Sequence, residues 1–301
     1  MAADALNLTR LCQPVRSCDA LERAIVPAKP RLYVREPFEE VPKSLDQLHR
    51  EFSAITEREV KTWMLWARRP AREAYYEANF PDYVAEHQAD FERRHRSHEE
   101  AQDARQREHD TPLLARYKAE CQVAEKRTLG DPGLIEGLIE GYVASLALPF
   151  ELGCESSFDL TEGELYLCLT FPGHEIVPPT YEVSKRTGVG VREKSTRRVR
   201  SEYVQTMLGA MLAVVTNAFE ASPAIKAVAV DIRAWTRSHK TGEGIDYALA
   251  QRFTREALLG QQLAGIDPDD WCAGHGLVSN MTVTKILRPI QPLKKEVDGD
   301  E

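Results

Sequence analysis

Between Glu164 and Phe171 apolar and polar positions alternate, with Leu165, Leu167, Leu169 and Phe171 on one face and Tyr166, Cys168 and Thr170 on the other. That period of two predicts a half-buried strand. Phe150 to Asp159 pairs with it through the turn Leu160-Thr-Glu-Gly163, giving an antiparallel hairpin. A shorter strand is expected around Tyr181 or Gly190. The pattern then changes to the helical period from about Ser195 to Ala221, where Tyr203, Met207, Leu208, Met211, Leu212, Val215 and Phe219 recur, and Ser222-Pro223 stops the helix. Ile225 to Trp235 reads as a central strand, apolar on both faces over Ala227 to Val230. Ile245 to Thr254 returns as its antiparallel partner after the turn-rich loop 236–244. Asp267-Pro268 starts one more short helix, with Asp269 and Asp270 where the dipole favours acids. These elements define an α+β fold: a two-layer antiparallel sheet with one long packed helix over residues 148–293, followed by an acidic tail over 294–301.

The preceding residues have a different texture. Residues 1–43 hold Pro14, Pro27, Pro30, Pro37 and Pro42 and predict an irregular arm, with a short strand at Arg31 to Arg35, lying across a neighbour. A helical domain follows over 44–147. Ser44 caps a helix carrying Leu45, Leu48 and Phe52, and Thr56 to Glu59 has the spacing of a second capping box. Val60, Trp63, Met64 and Ala67 recur at helical spacing and read as a core stripe, in preference to a cofactor or base-stacking role for Trp63 and Trp66. Pro70 is expected to break that helix. The segment 82–130 is charged, with only Ala101 and Ala104 apolar between Glu92 and Pro112, so it predicts a projecting helical hairpin around Thr111-Pro112 or a mobile spacer. Asp131-Pro132 opens another helix, with Leu134, Ile135, Leu138, Ile139, Tyr142 and Leu146 as its apolar face.

Composition narrows the function classes. The 301 residues carry 39 Lys and Arg against 47 Asp and Glu, a net charge of -8, which argues against a protein whose whole surface coats nucleic acid. The six cysteines lack CxxC spacing and read as reduced and mostly buried. No signal peptide and no run of about 20 apolar residues is apparent, so the expected location is cytoplasmic, with no membrane partner.

Against that acidic background, Ser184 to Arg200 is anomalous. It holds Lys185, Arg186, Arg192, Lys194, Arg197, Arg198 and Arg200 against one acid, Glu193. A glycine-bearing loop leading into a helix N-terminus offers free backbone N–H groups, and cations there oppose the macrodipole unless an anion or carboxylates neutralise them. The segment is therefore a phosphate or nucleic-acid contact, a set of cations paired with Glu155, Asp159, Glu162 and Glu164, a solvated face, or a contact for a protein partner. Nuclease chemistry would require carboxylates converging on Mg2+, and Asp159, Glu162, Glu164, Asp231 and Asp246 are candidates by type, although none stands in the order of a restriction enzyme. Asp231 on an apolar strand has a simpler account in pairing with Arg233 or Arg252. His95 and His98 could share a helix face as metal ligands do, but no third ligand lies near in sequence. His174 follows a strand, and His239 and His275 lie in glycine-flanked loops where functional residues are often found. There is no Gly-x-Ser-x-Gly elbow, however, Cys154 and Cys168 fall in strands where a buried thiol is inert, and no phosphate-loop or dinucleotide motif occurs. No metal site, cofactor or catalytic residue is predicted, and the chain reads as a non-enzyme more readily than as an enzyme.

The C-terminal half carries Lys194-Ser195, Tyr203, the helix end Phe219 to Pro223, the strand Ile225 to Trp235, Gly242 with Asp246-Tyr247, and Phe253-Thr-Arg-Glu256. The series continues through Ile266-Asp-Pro268, Asn280-Met-Thr282 and Pro289-Ile-Gln-Pro292. On these residues the C-terminal half resembles an uncharacterised bacterial domain found after small domains of unknown function and beside Mrr-type restriction endonuclease modules. The resemblance implies a bacterial, antiviral-defence or restriction setting and brings no catalytic residues. The expected function is an accessory interaction or sensing protein, with a protein partner at the helical domain and possible nucleic-acid contact at the basic segment. A metal-dependent nuclease is the alternative; a toxin or antitoxin component and a structural subunit stand behind it.

Overall fold

The structure is a computed structural model that describes residues 8–185, 188–238 and 242–293, with the backbone alone for 184, 185, 188, 189 and 238. Arg186, His239 and the acidic tail 294–301 lie outside the described residues, as does the side chain of Lys185. The chain is of the α+β class and divides into two compact units: a helical unit, 28–119, and an α+β unit that joins residues up to 27 with those from 120 onward. The division differs from a single boundary at Leu148. The helix preceding the sheet packs on it, and the first described residues return to the same core.

In the helical unit, α2 (Leu45–Glu59) begins at the predicted cap. The Ser44 side chain accepts from the Gln47 amide while Gln47 accepts from the Ser44 amide, a reciprocal capping box. Thr56 caps nothing; it lies in the last turn of the same helix and its hydroxyl donates to the Phe52 carbonyl at 2.9 Å. Then α3 runs unbroken from Leu65 to Leu129 through Pro70, Pro81 and Pro112, so neither a break at Pro70 nor a hairpin at Pro112 forms. Each proline removes one backbone hydrogen bond, which tertiary contacts can offset. Those contacts come from α2 and from the arm. Phe52 packs among Tyr75, Tyr76, Phe80 and Tyr83. The arm lies extended along α3 of its own chain, with no strand at 31–35. The Tyr33 amide donates to Asp110 at 2.8 Å, its hydroxyl to Gln102 at 2.9 Å, and Phe38 sits against Phe91, His95 and His98. A helix with almost no apolar stripe is thereby held by polar side chains that the arm satisfies. Trp63 and Trp66 are not core residues: they are 85% and 80% exposed.

In the α+β unit, α1 (Cys18–Ile25) and α4 (Pro132–Ser145) precede the sheet. Asp131 caps α4 through the Leu134 amide, and Pro132 occupies the first turn, where a missing N–H costs nothing. The hairpin β1 (Gly153–Asp159) and β2 (Glu164–Thr170) follows in the expected register, Asp159 opposite Glu164. Gly163 closes the turn at φ +67, and its carbonyl approaches the Lys226 amide at 2.8 Å. A second hairpin, β3 (Thr180–Lys185) and β4 (Gly188–Glu193), forms its own two-stranded sheet. The long helix α5 (Thr196–Ala221) starts at the Ser195 cap. After it come β5 (Ala227–Ser238), β6 (Gly242–Thr254), α6 (Arg255–Leu258), α7 (Pro268–Gly274) and β7 (Val278–Ser279). The main sheet has the order β1-β2-β5-β6-β7.

This sheet is mixed rather than wholly antiparallel, because β2 and β5 pair in parallel. The cause is α5: a helix inserted between two neighbouring strands returns the chain to the end where β2 began, which makes the next strand parallel. Leu165, Leu167 and Leu169 of β2, with Val228, Val230 and Ile232 of β5, form the buried face and share the core with α4 and α5. Each such side chain contributes about 1.5–3 kcal/mol on burial. Among the described residues α5 is the one helix long and apolar enough to cross a bilayer, yet 83% of its most apolar stretch is buried.

Candidate anion site at the carboxyl ends of the parallel strands

Parallel pairing places the carboxyl ends of β2 and β5 beside the first turn of α5, the position where open sheets with crossover helices bind ligands. A cavity of about 280 Å3 lies there, lined by His174, Thr196, Val199, Arg200, Trp235, Thr236, Arg237, Glu243, Ile286 and Leu287. His174 comes from a short 3-10 turn (His174–Ile176) after β2, Arg200 from α5, and Arg237 from the end of β5. A register shift between Ile232 and Arg233 precedes the segment of β5 that lines the cavity.

Burial, and then the nearby Arg200 charge, hold the His174 imidazole below its ordinary pKa, so the neutral ring predominates at neutral pH. Its ring lies 4.5 Å from that of Tyr203, whose hydroxyl donates to the Pro172 carbonyl at 2.5 Å and fixes the turn. Arg237 forms an ion pair with Glu243 at 3.2 Å, both groups well exposed, and its amide donates to the Leu287 carbonyl. Two guanidiniums, two threonine hydroxyls and a protonatable imidazole around an apolar-walled opening suit a phosphate-bearing or carboxylate ligand. Among the described residues no serine or cysteine lines the cavity, and Glu243 is the one lining carboxylate.

The predicted cations separate into two groups. Lys194 is nearly buried and contacts Glu202 at 2.6 Å, while Arg198 contacts the same carboxylate at 2.8 Å and lies over the Tyr181 ring. These two are internal pairs, and their acid is Glu202 on α5 itself, not the β1–β2 hairpin. Arg192 and Arg197 are exposed, and Arg200 reaches the cavity. The nuclease candidates are spread along the sheet. Asp159 accepts from the Thr161 and Glu162 amides in its turn, and Glu164 pairs with Arg252 at 2.5 Å. Asp231 is buried and accepts the Leu293 amide at 2.9 Å, and Asp246 accepts from the adjacent Tyr247 amide. Among the described residues no three His, Cys, Asp or Glu side chains stand where they could hold a metal ion. His98 contacts the Glu36 carbonyl at 3.0 Å, and His275 the Trp271 carbonyl at 2.6 Å. All six cysteines are free thiols, and burial pushes those of Cys12, Cys154 and Cys272 up to about 12, which makes them poor nucleophiles.

His174, Thr236, Arg237 and Glu243 are members of the site that sequence reasoning did not assemble. The available signal was the 26-residue helix between two apolar strands, which implies a parallel pair and hence a site at its carboxyl end. The fold and this cavity define a mixed-sheet α+β protein with a cationic pocket. Comparison with protein-family models, with curated proteins and with solved structures gives no match.

Proposed function

We propose that this chain is an accessory interaction or sensing protein whose α+β unit recognises a phosphate-bearing ligand, nucleic acid in the first instance. The observation that carries the reading is the convergence of Arg200, Arg237 and His174 on one cavity beside the first turn of α5. Arg192 on β4 and Arg197 on the first turn of α5 are exposed and add cations on the elements that lead into the site. The bacterial defence setting rests on the resemblance of the C-terminal half, and a cytoplasmic location goes with it. No observation favours the nuclease reading over this one, since the candidate carboxylates have other partners.

The test is fluorescence anisotropy of labelled single- and double-stranded DNA and RNA against the full chain. If two or three cations meet phosphates, affinity falls about 7- to 40-fold between 50 and 200 mM salt. R200A/R237A is expected to abolish that binding. Binding untouched by the double substitution would refute the site. Mg2+ is added last; cleavage that disappears in D231N would replace sensing with the nuclease reading.

A further inference from the structure

Four consecutive large apolar residues, Trp63-Met-Leu-Trp66, span the end of the connection between α2 and α3 and the first two residues of α3. Trp63, Leu65 and Trp66 are 85%, 81% and 80% exposed, so this turn of the helical hairpin ends in an apolar tip. Isolated exposed hydrophobics need no explanation, but three within four residues, two of them tryptophan, form a contiguous patch of the kind that marks an interaction surface. The flanks are basic. Arg58 to Arg72 contains Arg58, Lys61, Arg68, Arg69 and Arg72 against the single acid Glu59, in a chain whose net charge is -8. Arg69 and Arg72 meet Glu73 and Glu57 at 3.1 and 3.7 Å, while Arg58, Lys61 and Arg68 are exposed on the same stretch.

We propose that this tip seats in the surface of an anionic lipid bilayer. Indole rings combine a large apolar body with one N–H donor and settle at the level of lipid headgroups. Leu65 and Met64 would enter the acyl boundary beside them, and the cations would meet anionic headgroups. The acidic remainder of the chain does not forbid this, because charges more than about 10 Å from the surface are largely screened at 0.1 M salt. Polynucleotide is the less favoured partner: bases stack on aromatic faces, and a Leu side chain exposed to 81% gains nothing from them. The proposal departs from the sequence expectation of no membrane partner, which rested on the lack of a signal peptide and of a run long enough to span a bilayer, neither of which a tip that only enters the surface requires.

The experiment is co-sedimentation of the full chain with vesicles of equal parts phosphatidylcholine and phosphatidylserine, and with phosphatidylcholine alone. Quenching of tryptophan emission by brominated lipid is read in parallel. Binding is expected only with phosphatidylserine, with quenching, and with about a tenfold or greater loss in W63S/W66S and in R58Q/K61Q/R68Q. Because these side chains are exposed, both variants should keep the circular dichroism of the parent; if either fails to fold, the other decides. Absence of binding, equal binding to both vesicles, or binding that survives the substitutions overturns the proposal. So does a loss in W63S/W66S of oligonucleotide binding or of self-association without any vesicle binding.

Discussion

Arg255 is fully interior, 2% exposed, and supplies the clearest energetic test of the α+β unit. Its guanidinium donates to the carbonyls of Phe219 (2.6 Å), Ser222 (2.7 Å), Ile225 (3.0 Å) and Arg16 (2.8 Å), and it lies 5.1 Å from the centroid of the Phe219 ring. Arg127 donates to the carbonyls of Glu220 and Ala221. The two cations thus satisfy the last turn of α5, whose carbonyls have no partner within the helix and carry the negative end of its dipole. Arg255→Met keeps most of the volume and removes all four bonds. Each bond to a charged group is worth about 1.5–3 kcal/mol, but the guanidinium also gives up its hydration on burial, which costs several kcal/mol. The net loss should therefore resemble that of breaking a buried pair, about 3–5 kcal/mol. At 1.36 kcal/mol per factor of ten this accelerates amide exchange roughly 150- to 5,000-fold. Exchange followed by mass spectrometry should show that increase in peptides covering 207–221 and 227–235, with peptides from 70–100 unchanged. Arg255→Lys should recover little, because an ammonium cannot span the same four acceptors. An acceleration below about threefold for Arg255→Met, equivalent to roughly 0.6 kcal/mol, would refute the view that this cation terminates α5.

Two further outcomes follow from the same structure. His174 has a depressed pKa in the folded protein, so its neutral form contributes stability that is present above the ordinary histidine pKa of about 6.5 and lost as pH falls through the folded value. A bound phosphodiester, whose own charge is constant in this range, favours the protonated ring; binding should take up a proton and strengthen as pH falls toward the depressed folded value, and H174A anisotropy titrations that keep the same pH dependence would refute His174 as its source. In the helical unit Gln102 is 2% exposed and accepts from the Tyr33 hydroxyl and the Glu36 amide. Gln102→Leu leaves both donors without their partner, costs about 1–3 kcal/mol, and should expose residues 30–43 to limited proteolysis ahead of the rest of the chain; unchanged cleavage would show that the arm is held otherwise.

What was legible in the sequence were the elements whose burial follows their own period. The β1–β2 hairpin, α5 and the short helix after Asp267 lie where the alternation, the helical period and the Asp267-Pro268 start place them. What was not legible depended on partners distant in the chain. A polar α3 gives no internal signal of stability, because Gln102 and Asp110 are satisfied by an arm about 70 residues earlier. The apolar spacing of Val60, Trp63, Met64 and Ala67 fits a helical stripe, yet α2 continues to Glu59 and the next helix opens only at Leu65, which turns the tryptophans outward. At the candidate site, the excess of cations was visible, while its division was not: Lys194 and Arg198 are taken up by Glu202, one turn from Arg198, whereas Arg200 is the cation of that helix turn that lines the cavity beside Thr196 and Val199. The cavity itself is a consequence of chain direction. Only when α5 carries the chain back and makes β5 parallel to β2 do His174, Arg200 and Arg237 share one end of the sheet, so the topology rather than any local motif assembles the cationic pocket.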